Sequence, residues 1–245
     1  MFQRITDMEQ QRYHRQILID GIGVNGQEKL KKSKLLIVGA GGLGSPISLY
    51  LAAAGVGTLK IVDNDKVGLS NLNRQILYGN KDIGVGKAET AKAKIQALNP
   101  EISVESITGP VTDDNVYDLA GGCDLILDAV DNFATRYLLN DAAVKKNIPL
   151  IYGGVYGLEG ALTTIVPFKT ACLKCIFPGP PSVETSSPVL GATTGVIGGL
   201  QAMEAIKYIV GIGRLLTDKL LIFDGFNLGF REVNLMRNSK CPCCS

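Results

Sequence analysis

The sequence predicts an α/β fold: a Rossmann-like, largely parallel sheet with flanking helices, continued by antiparallel strands. Three observations carry this. The run Leu35-Leu36-Ile37-Val38 enters the turn Gly39-Ala40-Gly41-Gly42-Leu43-Gly44, and an apolar segment leaves it, which is the order strand, glycine turn, helix of a dinucleotide-binding fingerprint. Short apolar runs then alternate with segments of helical period as far as Gly154, and such alternation argues for parallel strands joined by crossover helices. After Gly154 the pattern changes, and the last two strand-like runs have no helix between them.

In chain order, Asp7 is a candidate cap for a short helix through Arg12, and residues 25–32 form an amphipathic piece. Strands are expected at 34–38, 58–62, 103–107, 125–128 and 150–153, and helices at 43–54, 87–98 and 134–146. In the 87–98 segment Ala88, Ala91, Ile95 and Leu98 share one face at the helical period. Residues 161–166, 220–223 and 230–235 read as antiparallel strands. The apolar, glycine-rich stretch 189–203 runs straight into Glu204 and Lys207, which predicts a buried helix, not a membrane span. Segment 177–188 holds four prolines and a Ser/Thr cluster and has no element of its own. Long loops of this kind are commonly functional or mobile.

The 245 residues suit a single domain, with a nucleotide-binding half over about 1–154 and an antiparallel, crossover-loop and cysteine-bearing half over about 155–245. A net charge of +2, with no basic run and no clustered aromatics, argues against a nucleic-acid or membrane partner. The polar N-terminus carries no signal core, so a cytoplasmic location with reduced thiols is expected. His14 is the only histidine, which excludes a triad built on a second one.

Cys172-x-x-Cys175 and Cys241-x-x-Cys244 are two knuckles far apart in sequence, the pattern of a closed tetrahedral Zn²⁺ site that clips the C-terminus onto the body of the chain. Cys243 is then the spare thiol, and Cys123 a small buried hydrophobe. Asp128 and Asp131 stand at the carboxyl end of a predicted parallel strand, facing the crevice where such sheets bind ligands. One or both of these carboxylates suit Mg²⁺; equally, Asp131 or Asn132 could cap the next helix, and spacing leaves both open. A dinucleotide site would use the acid near Asp63 to hold a ribose but has no need of Arg74 and Lys87 together. A site that cleaves a triphosphate needs both, to neutralise charge on the departing phosphates.

Taken together, Arg15-Gln16, Gly39-x-Gly41-Gly42-x-Gly44, Asp63-x-Asp65, Ser70-Asn71-Leu72-x-Arg74-Gln75, Lys87, Asp131-Asn132 and the cysteine pairs resemble the HesA/MoeB/ThiF adenylyltransferases, relatives of the ubiquitin-activating enzymes. The resemblance runs from about Tyr13 to Cys244, and Phe230-Arg231-Glu232 with Leu235-Met236-Arg237-Asn238 is most similar to the molybdopterin-synthase branch. It implies ATP·Mg²⁺ as the nucleotide, a small ubiquitin-like sulfur carrier ending in Gly-Gly as substrate, an acyl-adenylate as product and a separate sulfur donor. By the same resemblance the glycine turn and Asp63 hold the nucleoside. Asn71, Arg74 and Lys87 hold phosphates, with Asp65, Gln75 and Asn132 in the same site. Asp131 holds Mg²⁺, and Arg15 reaches across a homodimer; the apolar stretch 189–203 is a candidate for the contact, since a monomer should not leave it exposed. Segment 177–188 lacks the cysteine of thiamine-branch and ubiquitin-type relatives, so no covalent carrier adduct is expected there. The end at Ser245 leaves no rhodanese-like domain expected. Thiamine-thiazole synthesis or another carrier is the alternative pathway; an NAD-binding oxidoreductase or a non-catalytic binding module is the alternative class.

Overall fold

The computed structural model describes residues 5–179 and 188–245. Its centre is Lys34–Val38 (β1), flanked by Thr58–Asp63 (β2) and Leu125–Asp128 (β4), both parallel to it. Ser103–Thr108 (β3) adds outside β2 and Leu150–Tyr156 (β5) outside β4, also in parallel. Glu159–Ile165 (β6), Lys219–Asp224 (β7) and Gly229–Asn234 (β8) extend the same sheet antiparallel, in the order β3-β2-β1-β4-β5-β6-β7-β8. Tyr156 pairs with Glu159, so a tight hairpin begins the antiparallel half where the predicted alternation ends.

The central strands read as unbroken apolar runs because both faces are covered. Their side chains alternate between two cores. Leu35, Ile37, Leu59, Ile61, Leu125 and Leu127 belong to one; Leu36, Val38, Val62, Ile126 and Leu150 belong to the other. The helices Gly23–Lys32 (α3), Gly44–Ala53 (α4), Lys87–Leu98 (α5) and Gly191–Val210 (α9) supply Leu30, Ile47, Ile95 and Ile197 to the first core. Val116–Ala120 (α6), Phe133–Lys146 (α7) and Leu173–Ile176 (α8) supply Leu119, Leu139 and Leu173 to the second, together with the four paired cysteines.

Two expectations shift. The short helix Asp7–Arg12 (α1) is capped by Thr6, not Asp7: the Thr6 hydroxyl accepts from Glu9 N at 3.2 Å while Glu9 Oε2 accepts from Thr6 N at 2.7 Å. The reciprocal box satisfies two donors where Asp7 alone would satisfy one. The buried helix expected at 189–203 runs on to Val210, because the polar residues past the apolar run are bonded inside the fold. Gln201 Nε2 donates to Asp128 O at 2.8 Å, and the Glu204 carboxylate accepts from the Thr164 hydroxyl at 2.7 Å and Leu216 N at 2.8 Å. Most of the stretch is therefore consumed within the chain, with Leu190, Val196 and Met203 left exposed. Residues 180–187 of the proline-rich segment lie outside the described residues. No helix among the described residues is long and apolar enough to cross a membrane.

Candidate active site

The strand order reverses between β1 and β4, and their carboxyl ends lie level: Val38 pairs with Val62 on one side and Asp128 on the other. A crevice outside the strand ends opens at such a switch point. The chain leaves β1 through Gly39, whose φ of +94° excludes a side chain without strain. A Cβ there would lie 2.5 Å from the Ala129 carbonyl oxygen, and one on Gly44 would lie 2.0 Å from that of Gly39. These two glycines let the turn fold back on itself and press against the end of β4. Gly41 faces the Gln75 amide, and Gly42 packs on Thr194 of α9.

Asp63 closes β2 beside this turn. Its carboxylate accepts from Ala40 N at 2.7 Å and Asp65 N at 2.8 Å. Burial pushes its pKa above the usual carboxylate value, against the pull of those two N–H groups and Lys87. Asp65 in turn meets Lys87 Nζ at 2.9 Å. Lys87 is the first residue of α5 and only 5% exposed, so its ammonium is held at the helix N-terminus beside the crevice. The Tyr78 hydroxyl, 2.8 Å from Ala40 O and 3.2 Å from Lys87 O, ties the glycine turn to that helix start.

The segment between carries the remaining polar residues. Asn71 Oδ1 accepts from Gly68 N at 2.9 Å and shapes a short 3₁₀ turn. Arg74 Nη1 donates to Ser70 O and Asn73 Oδ1 at 2.9 and 3.0 Å and stays accessible. Gln75 is buried, with Oε1 unpartnered among the described residues. Across the crevice, Asn132 caps α7, accepting from Thr135 N at 2.9 Å. Among the described residues that leaves the exposed Asp131 with a single long contact, 3.4 Å from Asn132 Nδ2, and decides the capping question in favour of Asn132. Arg15 lies apart on the helix His14–Ile17 (α2), exposed and, among the described residues, without a hydrogen-bond or ion-pair partner. The glycine turn, Asp63, Asp65 and Lys87 are thus bonded to one another at the carboxyl ends of β1 and β2, and Asp131 follows the carboxyl end of the neighbouring β4.

The cysteine pairs meet as their spacing predicts. The sulfurs of Cys172, Cys175, Cys241 and Cys244 lie within 4.8 Å of one another, with close pairs at 3.5–3.9 Å. Four Zn–S bonds of about 2.3 Å arranged tetrahedrally put sulfurs about 3.8 Å apart, so the donor set fits Zn²⁺ in both chemistry and spacing. Cys243 stands aside, donating to Asp141 Oδ1 at 3.2 Å and accepting from Asn140 Nδ2 at 3.1 Å. Cys123 is buried, and burial pushes its thiol pKa up.

The ThiF family profile matches residues 13–243. The chain belongs to the ThiF family. It is 41% identical to the sulfur carrier protein adenylyltransferase of Thermus thermophilus, over 98% of this chain and 93% of that one. It is 43% identical to the SAMP-activating enzyme E1 of Haloferax volcanii, over 95% and 88%. With the adenylyltransferase and sulfurtransferase MOCS3 of Culex quinquefasciatus it shares 46% over 99% of this chain but spans only 57% of that protein. Among solved structures, E. coli MccB with ATP superposes at a TM-score of 0.85 with 27% identity, covering 96% of this chain and 74% of that one.

Three polar residues that brace this candidate site escaped the sequence reading: Tyr78, Arg136 and Gln201. Arg136 Nη2 donates to Val130 O at 2.8 Å and Gly153 O at 3.1 Å, and Gln201 reaches the end of β4 from the opposite face of the sheet. Each is one polar residue inside an apolar or charged helix or turn, and only the packing reveals its partner.

Proposed function

We propose that this chain is an adenylyltransferase that uses ATP to activate the C-terminal glycine carboxylate of a small ubiquitin-like sulfur carrier ending in Gly-Gly, in molybdopterin synthesis. The observation that carries the reading is the β1/β4 switch point, where the glycine turn follows β1, Asp63 with Asp65 and its ion-pair partner Lys87 follows β2, and Asp131 follows β4, in a family whose similar members are named for this chemistry. A carboxylate oxygen of the carrier bonds to the α-phosphorus of ATP, the bond to the bridging oxygen breaks, and pyrophosphate leaves.

In this reading Asp63 takes the ribose hydroxyls with its remaining lone pairs, and the tight turn at Gly39 to Gly44 lets the backbone approach the phosphates. Asn71, Arg74 and Lys87 neutralise charge as it moves to the leaving pyrophosphate. Asp65 aims the Lys87 ammonium, while Gln75 and Asn132 shape the walls. Asp131 is an exposed carboxylate left over by the helix cap, and one such group beside phosphate oxygens is the donor set Mg²⁺ accepts. Bound there, Mg²⁺ would offset phosphate charge. Arg15 completes the site of the partner in a homodimer. Cys172, Cys175, Cys241 and Cys244 hold a structural Zn²⁺, which needs reduced thiols and so suits the cytoplasm. A separate donor delivers sulfur to the adenylate.

The test is exchange of labelled pyrophosphate into ATP with a Gly-Gly carrier present. Removing the carrier's last glycine abolishes exchange, because the attacking carboxylate is misplaced. Exchange that continues without a carrier, together with tight NAD binding, overturns the reading.

A further inference from the structure

We propose that the buried pair Asp128–Arg136 positions Asp131 for its metal; this rests on the reading of Asp131 given above. Asp128 is fully buried at the end of β4, and its Oδ2 lies 3.5 Å from Arg136 Nε, with neither atom in a hydrogen bond among the described residues. Burial lifts the Asp128 pKa to about 6 against the pull of Arg136 and Val130 N. The arrangement is poor as a source of stability. Buried ion pairs can commonly be exchanged for apolar residues of similar volume without loss, since desolvation offsets the attraction.

What an apolar pair could not do is hold Val130. Asp128 Oδ1 accepts from Val130 N at 3.2 Å, and Arg136 Nη2 donates to Val130 O at 2.8 Å, so both backbone groups of the residue before Asp131 are bound by the pair. The residue after Asp131 is fixed by its own capping bond to α7. Behind Val130, Ala129 N donates to Val38 O at 2.9 Å, the Ala129 carbonyl packs on Gly39, and Gln201 Nε2 holds Asp128 O. Arg136 is kept flat by the rings of Phe133 and Tyr152, each 5.0 Å from its guanidinium carbon, and by Gly153 O. Asp131 is thus a free carboxylate on an anchored backbone, which is what a metal ligand on a loop requires.

The experiment measures Mn²⁺ affinity, by water-proton relaxation, in the presence of saturating α,β-methylene-ATP, and separately the affinity for that nucleotide without metal. Arg136→Lys keeps the charge but loses the two-carbonyl grip; Asp128→Asn keeps the size. Each is expected to weaken Mn²⁺ about tenfold while metal-free nucleotide affinity stays within twofold. Combined with Asp131→Asn, neither should weaken Mn²⁺ further, because a positioning effect vanishes with the group positioned. If Asp131→Asn weakens Mn²⁺ but the folded Arg136→Lys and Asp128→Asn proteins do not, or do so additively with it, the positioning role is overturned. If Asp131→Asn leaves Mn²⁺ affinity unchanged, the metal reading of Asp131 falls, and this proposal with it. Should Arg136→Lys fail to fold, the near-isosteric Asp128→Asn carries the comparison alone.

Discussion

Lys87 is buried, yet its only ion-pair partner among the described residues is Asp65, whose side chain is 61% exposed. Water can take over Asp65 when the lysine goes, so Lys87→Ala should cost about 1 kcal/mol of stability or less. The same change removes a cation aimed at the cleft, and carrier-dependent pyrophosphate exchange should fall on the order of 10²–10³-fold. Arg74→Ala should behave alike, since it strands only the accessible Ser70 and Asn73 acceptors. Equal losses of exchange and melting temperature in both variants would reduce these residues to scaffold. Asp128 has the opposite character. Its folded pKa of about 6 exceeds its ordinary 3.8, so the folded chain keeps a proton that the unfolded chain releases. The resulting stabilisation is full below pH 3.8 and lost as pH rises through 6, about 3 kcal/mol in all. Asp128→Asn cannot titrate, so the stability of wild type minus variant should fall by that order between pH 4 and 7 in denaturant titrations. A pH-independent difference would mean that the acid titrates normally. The sequence made Asp128 and Asp131 equally prominent. Which one is buried depends on the pleat of β4 and on Arg136, five residues beyond Asp131, and neither leaves a mark in composition.

The strands and crossover helices were legible because each carries its own period: β1 and β4 as unbroken apolar runs, α5 as Ala88, Ala91 and Ile95 on one face. Element ends were less so. The extension of α9 to Val210 depends on Gln201 and Glu204 bonding to β4, β6 and residue 216, partners that exist only after the sheet is built. The cysteine knuckles were the clearest case, since paired spacing declares a tetrahedral site without knowledge of the fold. Structurally they join α8, which carries Cys172 at its cap and Cys175 within it, to the turn of the last residues, and Asn140 of α7 braces both sides. One Zn²⁺ per chain is expected by metal analysis of protein purified under reducing conditions. Chelation or Cys244→Ala should lower the melting temperature, because metal binding here is coupled to folding of that corner. Exchange chemistry at the distant cleft should survive at temperatures below the shifted midpoint. Absence of zinc, or unchanged melting on chelation, would refute the clip.

At the scale of the whole molecule, one cation of the proposed site is not where the others are. Arg15 stands exposed on α2, and that helix is not loose: Tyr13 just before it is buried with its hydroxyl accepting from Asn99 Nδ2 at 2.8 Å, and Gln16 donates to Ala54 O at 2.8 Å and to Gln27. A firmly docked helix that presents an unpaired arginine outward fits a residue meant for a second copy of the chain. The dimer contact need not be the stretch 189–203 as such, since α9 spends most of its apolar surface inside the chain; its exposed Val196 and Met203 remain available. The decisive experiment mixes Arg15→Ala subunits with Lys87→Ala subunits, each inactive alone. In a two-fold dimer with composite sites, each mixed pair has one site with both residues wild type and one with neither. A random equal mixture should then recover about a quarter of wild-type exchange. If Arg15 instead serves its own subunit, every site in the mixture lacks one residue or the other, and nothing is recovered. Subunit exchange verified by mass-tagged chains separates that outcome from dimers that never mixed, and no recovery after verified mixing would place Arg15 in its own subunit's site or outside any.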